Sequence, residues 1–483
     1  MARFLYGYIY EPWHEAPDQI AWEFVLEQFN FRYDNLIHYP HEGGTILISF
    51  IGLFVELFTD FSSLTISAFI IDFTIRFFQI KIIKNVFNPQ IATIFGFWTI
   101  FAAPLLIPWG TITYGLHPVA RIFPFIFIYI LHQKKETVKH HLICGAFIGL
   151  AFWFSYSNMV LIPIFFLYRI INREKINKWI YSVLSLFLIL IAHFLVKLYF
   201  DAGYQLEEIS LTSIRGAVFS IHEIDFLDKL SYIPDVIANC AITLPISNTF
   251  TESIRFIYFL LIIISGFGFI KAYRKHLFDK SVYMIIPTIL LFLIIYIFSP
   301  FFYSSYTGGY VKFRHLTYIA PLIAAYGIAG LSTLRYKFIL SGLFLFLGIC
   351  ASSALFMKEK PPERDVFIKA PGWILGKKFG HDQEMLSSII EDNPQKRELL
   401  IQGIAWGIST SLMDETTQKF DEEKATSKVD KLVRVISGFP KTYQNDLLEG
   451  IKFSFSDEVT PRLDKNLFIK FKKKMKKNEK ESK

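Results

Sequence analysis

The sequence predicts an all-α fold, a polytopic bundle of about ten to twelve transmembrane helices followed by a mostly helical C-terminal soluble domain. Three observations carry this reading. From Gly44 to Phe356, apolar runs of roughly fourteen to twenty-two residues recur, separated by short loops often rich in Lys and Arg. Hydrophobic residues make up 53% of the 483-residue chain, with 52 Phe, an excess that hydrocarbon surroundings accommodate better than one very large soluble core. After Phe356 the long apolar runs stop and charged residues take over.

Residues 1–44 come first and read as an acidic-aromatic interfacial segment. Trp13, Trp22, Phe24, Phe29 and Tyr33 suit the bilayer interface, and Pro17 followed by Asp18 starts a helix whose N-terminus favours that carboxylate. The opening MARFLYGYIY has one Arg but no long apolar core and no small-residue cleavage site, so no removable signal peptide is expected.

Residues 45–356 form the expected bundle. Spans are predicted at 45–58, 63–80, 91–108, 118–131, 142–155, 158–168, 180–199, 254–270, 281–300, 316–332 and 338–356. Pro104, Pro108, Pro118, Pro124 and Pro163 predict kinked or broken helices. Such breaks persist in hydrocarbon only where neighbours or a wet cavity satisfy the freed carbonyls, so a polar cavity is expected inside. Loops carrying Lys134, Lys135 and Lys139, then Arg169, Arg173, Lys175 and Lys178, then Lys271, Arg274 and Lys275, then Arg335 and Lys337 are assigned to the cytoplasmic side. The same parity puts 109–117, 156–158, 201–253, 301–315 and the C-terminal domain outside, with residues 1–44 inside. A preceding helix beyond Met1 would reverse the side of 1–44, and 45–58, short and carrying Glu56, would then be the miscounted crossing.

The large non-cytoplasmic loop 201–253 is acid-rich, with Asp201, Glu207, Glu208, Glu223, Asp225, Asp228 and Asp235. As a unit it is long enough to cover a cavity; individually its carboxylates read as solvated. Residues 357–483 have no spanning segment and carry a faint repeat, NPQKRELLIQGIAWGIS around Gly403 and FPKTYQNDLLEGIKFSFS around Gly450, a spacing found in two-helix repeat units. The end, KFKKKMKKNEKESK, reads as a solvated basic tail.

The net charge of +8 is accounted for by the basic loops and this tail, and no nucleic-acid-binding motif is present. Cys144, Cys240 and Cys350 lack CxxC or metal-ligand spacing and read as small buried hydrophobes. His38, His41 and Glu42 flank Tyr39-Pro40 without a fourth ligand or recognised zinc spacing, so neither a metal nor another cofactor is predicted. Asp72 and Arg76, spaced i,i+4, read as an internal ion pair. His117, before Pro118, sits in a predicted outer loop where it either faces the cavity or holds a structural hydrogen bond.

Several stretches resemble a known superfamily. Asp18-Gln19-Ile20-Ala21 followed by Tyr39-Pro40-His41-Glu42-Gly43-Gly44 is similar to the first non-cytoplasmic loop of the GT-C membrane glycosyltransferases, the protein mannosyltransferase-like and lipid A aminoarabinose transferase-like enzymes. KHHLICGAFIGLAFWFSYSNMVLIPIFFLYRI (139–170) looks like their Gly-containing span, polar break and Pro-containing span. GGYVKFRHLTYIAPLIAAYGIAGL (308–331) looks like their basic-aromatic segment entering a late span. Gln19 stands where the family often has a second acid, and Ser155-Tyr156-Ser157-Asn158 where it often has Lys.

The resemblance implies a multi-pass protein of the bacterial inner (plasma) membrane that moves a sugar from a polyprenyl-phosphate donor to a lipid, glycan or protein acceptor outside the cytoplasm. Asp18 would be the general base, taking the acceptor hydroxyl proton. Arg314, with His315 or Lys312, would neutralise the leaving phosphate, and Tyr39, His117 and Asn158 would line the substrate site. A transporter is the alternative from another class, since broken helices and intramembrane charges also mark transport paths. An inactive membrane scaffold is the third.

The map makes a direct prediction. In intact cells, single cysteines placed in 201–253 should react with an impermeant thiol reagent and those at 134–139 should not; the reverse pattern refutes the orientation.

Overall fold

A computed structural model describes residues 48, 51–55, 57–58, 63–107, 117–133, 137–174, 176–201, 249–298, 316–354, 356, 368–412, 422–454 and 468–475. Every regular element among the described residues is helical. They fall into two compact units, one drawn from 48–197 and 249–356 and the other including 368–475.

The first unit runs α1 (Ser63–Val86), α2 (Pro89–Phe101), α3 (Phe123–His132), α4 (Val138–Phe154), α5 (Leu161–Ile171), α6 (Ile176–Asp201, in this unit as far as Lys197), α7 (Thr249–Arg274), α8 (Ile285–Phe298), α9 (Ala320–Leu331) and α10 (Lys337–Ala354). Starts and stops follow local chemistry. Asn88 caps α2 by accepting from the Ile91 N–H at 2.9 Å, with Pro89 in the first turn, where no N–H is missed. Thr137 caps α4 through the His140 N–H.

Several boundaries depart from the sequence reading. The 63–80 run continues to Val86, because Ile82, Ile83 and Val86 stay buried while Lys81 and Lys84 turn outward. The 91–108 run stops at Phe101 and continues as a 3₁₀ turn at Pro104–Leu106, since Pro104 cannot extend the helix. The 118–131 run splits into one turn, His117–Ala120, and α3, which restarts with Pro124 in its first turn. A turn at Lys280–Tyr283, capped by Asp279, precedes α8. Of 45–58, residues 48, 51–55 and 57–58 are described, and 51–55 are helical. Cys144 is buried and Cys350 half-buried; Cys240 lies outside the described residues.

Two helices are long and apolar enough to cross a membrane by length and composition, Ser253–Arg274 within α7 and Lys337–Ala354. Other apolar helices, among them Phe123–His132 and Ala320–Leu331, are shorter. The distribution of polarity adds to this. Phe73, Phe77, Phe97, Phe101, Leu188, Leu195, Phe256, Phe267, Phe338 and Phe346 are exposed, whereas Asp72, Arg76, Gln79, Thr99 and Arg121 are buried. In the second unit Ile469 is the one large hydrophobic found exposed among the described residues.

Side-chain contacts gather five connections at one end of the first unit. The Phe87 ring, between α1 and α2, lies 5.1 Å from that of Phe278, between α7 and α8. In the same α7–α8 connection, Asp279 lies 4.0 Å from His132 at the end of α3. Tyr168, near the end of α5, donates to the Leu131 carbonyl at 3.1 Å, and Lys271 donates to the Thr333 carbonyl, between α9 and α10, at 2.8 Å. The described cations of the basic loops therefore share an end.

Two helices close at that end without glycine. Arg173 and His276 take φ of 53° and 51°. Each completes a Schellman closure: Glu174 N–H to the Arg169 carbonyl with Arg173 N–H to Ile170, and Leu277 N–H to the Ala272 carbonyl with His276 N–H to Tyr273. α7 and α9 meet through small residues, where a Cβ on Gly268 would come within 2.8 Å of the Thr333 hydroxyl and one on Gly330 within 2.9 Å of the Ser265 Cβ. Close backbone approach of this kind is how helices associate when their surroundings are as apolar as their side chains.

The second unit comprises α11 (Ala370–Phe379), α12 (Gln383–Asp392), α13 (Arg397–Leu412), α14 (Glu422–Ser437) and α15 (Gln444–Phe453), with a further helical stretch at 468–475. α11 and α13 touch backbone to backbone at Gly372 and Gly403, each of whose Cβ would lie 2.8 Å from the other's Cα. α15 lies on the opposite flank of α13, with Gly450 against Gln402, Phe453 against Trp406 and Ser454 hydrogen-bonded to Ser409, so the two helices run in the same sense. The two segments of the faint repeat thus fold alike, a 3₁₀ turn leading into a helix, and pack side by side.

Two substitutions test these contacts in the full chain. Gly403→Leu should cost about 3 kcal/mol by forcing α11 off α13, read as rapid proteolysis within 368–454. Arg173→Val should cost about 1–2 kcal/mol at its left-handed position while Arg173→Gly does not; equal melting of the Val and Gly variants contradicts the strain.

Candidate functional site

The first unit buries a charged cluster on its interior. Asp72 and Arg76 face each other one turn apart on α1, with Arg76 Nε 2.5 Å from Asp72 Oδ2 and Nη2 3.1 Å from Oδ1. This is the ion pair expected from their spacing. Arg121, between the His117–Ala120 turn and α3, adds a second guanidinium to the same carboxylate through Nη2. The backbone locks the arrangement: Arg76 Nη1 donates to the Thr99 carbonyl, and Gln79 Nε2 to the Arg121 carbonyl at 3.1 Å. Asp72, Arg76 and Arg121 are 5%, 6% and 1% exposed. Charges this deep persist only when paired and hydrogen-bonded.

Beside the cluster lies a neutral polar junction. α4 ends at Phe154 and the chain passes through a 3₁₀ helix, Tyr156–Val160, before α5. Asn158 on that helix is buried; its Nδ2 donates to the Ala151 carbonyl at 2.7 Å and its Oδ1 accepts from the Tyr318 hydroxyl at 2.9 Å. Tyr318, just before α9, stacks on Phe292 of α8 at 4.9 Å. The His117–Ala120 turn packs against both α1 and the 3₁₀ helix that carries Asn158, so the charged cluster and the Asn158–Tyr318 pair are neighbours. All these connections lie at the end away from the basic loops. A third buried pair, Trp98 Nε1 to Tyr258 Oη at 2.8 Å, ties α2 to α7.

The residues expected from sequence are distributed as follows. Asn158 is in the interior as described, and His117 begins the turn that packs on its 3₁₀ helix. Asp18, Tyr39, Lys312, Arg314 and His315 lie outside the described residues, as do His38, His41 and Glu42. Arg314 and His315 immediately precede the described, buried Leu316, two positions before Tyr318. Among the described residues no group of three His, Cys, Asp or Glu is placed to hold a metal. Sequence reasoning missed Arg121 and Tyr318. The signal for Arg121 was a lone cation inside the predicted 118–131 span; for Tyr318 it was a hydroxyl at the mouth of a Pro-containing span.

Chemically, the cluster carries one net positive charge in a low-dielectric interior, with both guanidiniums turned onto the Asp72 carboxylate. The Asn158–Tyr318 pair fixes the broken α4–α5 junction against α9 without adding charge. In comparisons with family models, with curated proteins and with solved structures, the chain matches none.

Substitutions separate the two features. Asp72→Asn withdraws the carboxylate that both arginines hold and should destabilise the unit by about 3–5 kcal/mol. Tyr318→Phe removes one neutral hydrogen bond, worth about 1 kcal/mol. Detergent-solubilised protein followed by thermal melting should give that order, and an Asp72→Asn protein as stable as wild type would rule out the cluster as a structural tie.

Proposed function

We propose that this protein is a multi-pass integral membrane glycosyltransferase, moving a sugar from a polyprenyl-phosphate donor to a lipid, glycan or protein acceptor on the non-cytoplasmic face. The observation that carries it is the buried Asp72–Arg76–Arg121 cluster, inside a helical unit with an apolar exterior, next to the broken α4–α5 junction. A lipid-linked donor needs a hydrocarbon-facing protein with a polar interior, and the apolar exterior around the buried cluster supports that. The end that carries the cluster is also where 301–315 would lie if the basic loops are cytoplasmic, and 1–44 would join it if 45–58 is not a crossing.

On this reading Asp18 takes the proton from the acceptor hydroxyl while Arg314, with Lys312 or His315, receives the phosphate as the C–O bond to it breaks. Because a glycosyl phosphate is already activated, one carboxylate and charge stabilisation suffice and no metal is required. Transport is the second reading. The same buried charges favour it, because intramembrane ion clusters also line permeation paths.

Proteoliposomes containing the full chain, a labelled polyprenyl-phosphate sugar and extracted acceptor lipids or glycans decide between them. Transfer of label supports the enzyme; accumulation of free solute without transfer supports transport. Asp18→Asn should lower turnover about 10²–10⁴-fold with donor binding retained, and Arg314→Ala should weaken donor binding. Undiminished transfer by Asp18→Asn removes the base assignment.

A further inference from the structure

We infer that the corner formed by the end of α7 and the α9–α10 connection docks the anionic phospholipid headgroups of the leaflet facing the basic end. The inference rests on the membrane reading above. Lys271, Arg274 and Lys275 are exposed on the last turn of α7 and its continuation. The Lys271–Thr333 bond holds them beside the α9–α10 connection, where Arg335 is exposed and Lys337, the first residue of α10, is half-buried. Across 265–283 and 329–342 the sequence has one carboxylate, Asp279, and it accepts from the Ser281 N–H and hydroxyl, each at 2.9 Å. The corner is therefore strongly cationic.

It is apolar immediately alongside. Tyr273, Ile270, Tyr336, Phe338 and Ile339 are all more than half exposed. The Arg335 guanidinium lies 5.7 Å from the Tyr336 ring centroid and the Lys337 ammonium 5.1 Å from that of Phe338. Cations resting on aromatic rings above exposed aliphatic side chains match the layering of a leaflet, phosphates outermost and acyl chains beneath. The N-terminus of the eighteen-residue α10 opens at Lys337, and a helix N-terminus favours anions.

The full chain, reconstituted into phosphatidylcholine vesicles with and without phosphatidylglycerol, tests this with spin-labelled versions of each lipid. The wild type should hold motionally restricted phosphatidylglycerol over phosphatidylcholine by about fivefold or more, the effect of at least one cation at an anionic surface. Replacing Lys271, Arg274, Lys275, Arg335 and Lys337 together by Gln should bring selectivity near parity, while Arg274→Lys with Arg335→Lys should retain it. Unchanged selectivity in the five-fold Gln variant overturns the inference. So does loss of wild-type selectivity on adding inorganic phosphate at constant ionic strength, which would assign the corner to free phosphate. Failure of the wild type to enter vesicles of either composition refutes the membrane reading itself, whereas entry without headgroup preference refutes only the corner.

Discussion

One carboxylate held by two guanidiniums, sealed inside a bundle whose exterior is largely hydrocarbon, constrains the first unit more than any other contact. Asp72 cannot leave Arg76 and Arg121 without stranding charge in a medium that will not solvate it. That requirement fixes where α1 meets the turn after residue 116, and Arg76 extends the tie to the Thr99 carbonyl near the end of α2. The same turn packs on the 3₁₀ helix bearing Asn158, whose side chain reaches Tyr318 across 160 residues of sequence. A few polar contacts thus register helices that slippery apolar surfaces alone would leave free to slide.

The two units distribute polarity differently. In the first, many large hydrophobics face outward while Asp72, Arg76 and Arg121 are buried, and close helix contacts come from Gly268, Gly330 and Ser265. In the second, the described surface carries almost no large hydrophobics and the core is ordinary burial of Leu, Ile and Val, closed by the Trp373, Trp406 and Phe453 rings. A chain made of both kinds of unit is consistent with a bundle in lipid and a water-facing appendage, and with the change in composition after Phe356.

Much of this was legible in the residues. Apolar runs located nearly every helix of the first unit, and the i,i+4 spacing of Asp72 and Arg76 announced their pairing. Proline foretold the breaks but not their form: Pro104 ended α2 early, while Pro124 and Pro163 sit near helix starts, where the ring is tolerated. What could not be read was long-range. Nothing local links Arg121 to Asp72, 49 residues away, or Tyr318 to Asn158, because which polar groups share an interior depends on how helices are arranged about one another. Gly372 and Gly376, and Gly403 and Gly407, repeat at i,i+4 within their helices, but nothing local shows that the two pairs face each other.

The backbone contact at Gly372 and Gly403 has a mechanical consequence. Where two helices touch through peptide groups, no side chain lies between them to change rotamer and absorb a displacement. α11 and α13 can therefore separate or stay together but cannot drift. With α15 held along the other flank of α13, a pull on any one of the three is passed on with little loss. The central amides of α13, whose residues from Leu400 to Ser409 are all buried, would then be among the last in this unit to exchange with solvent.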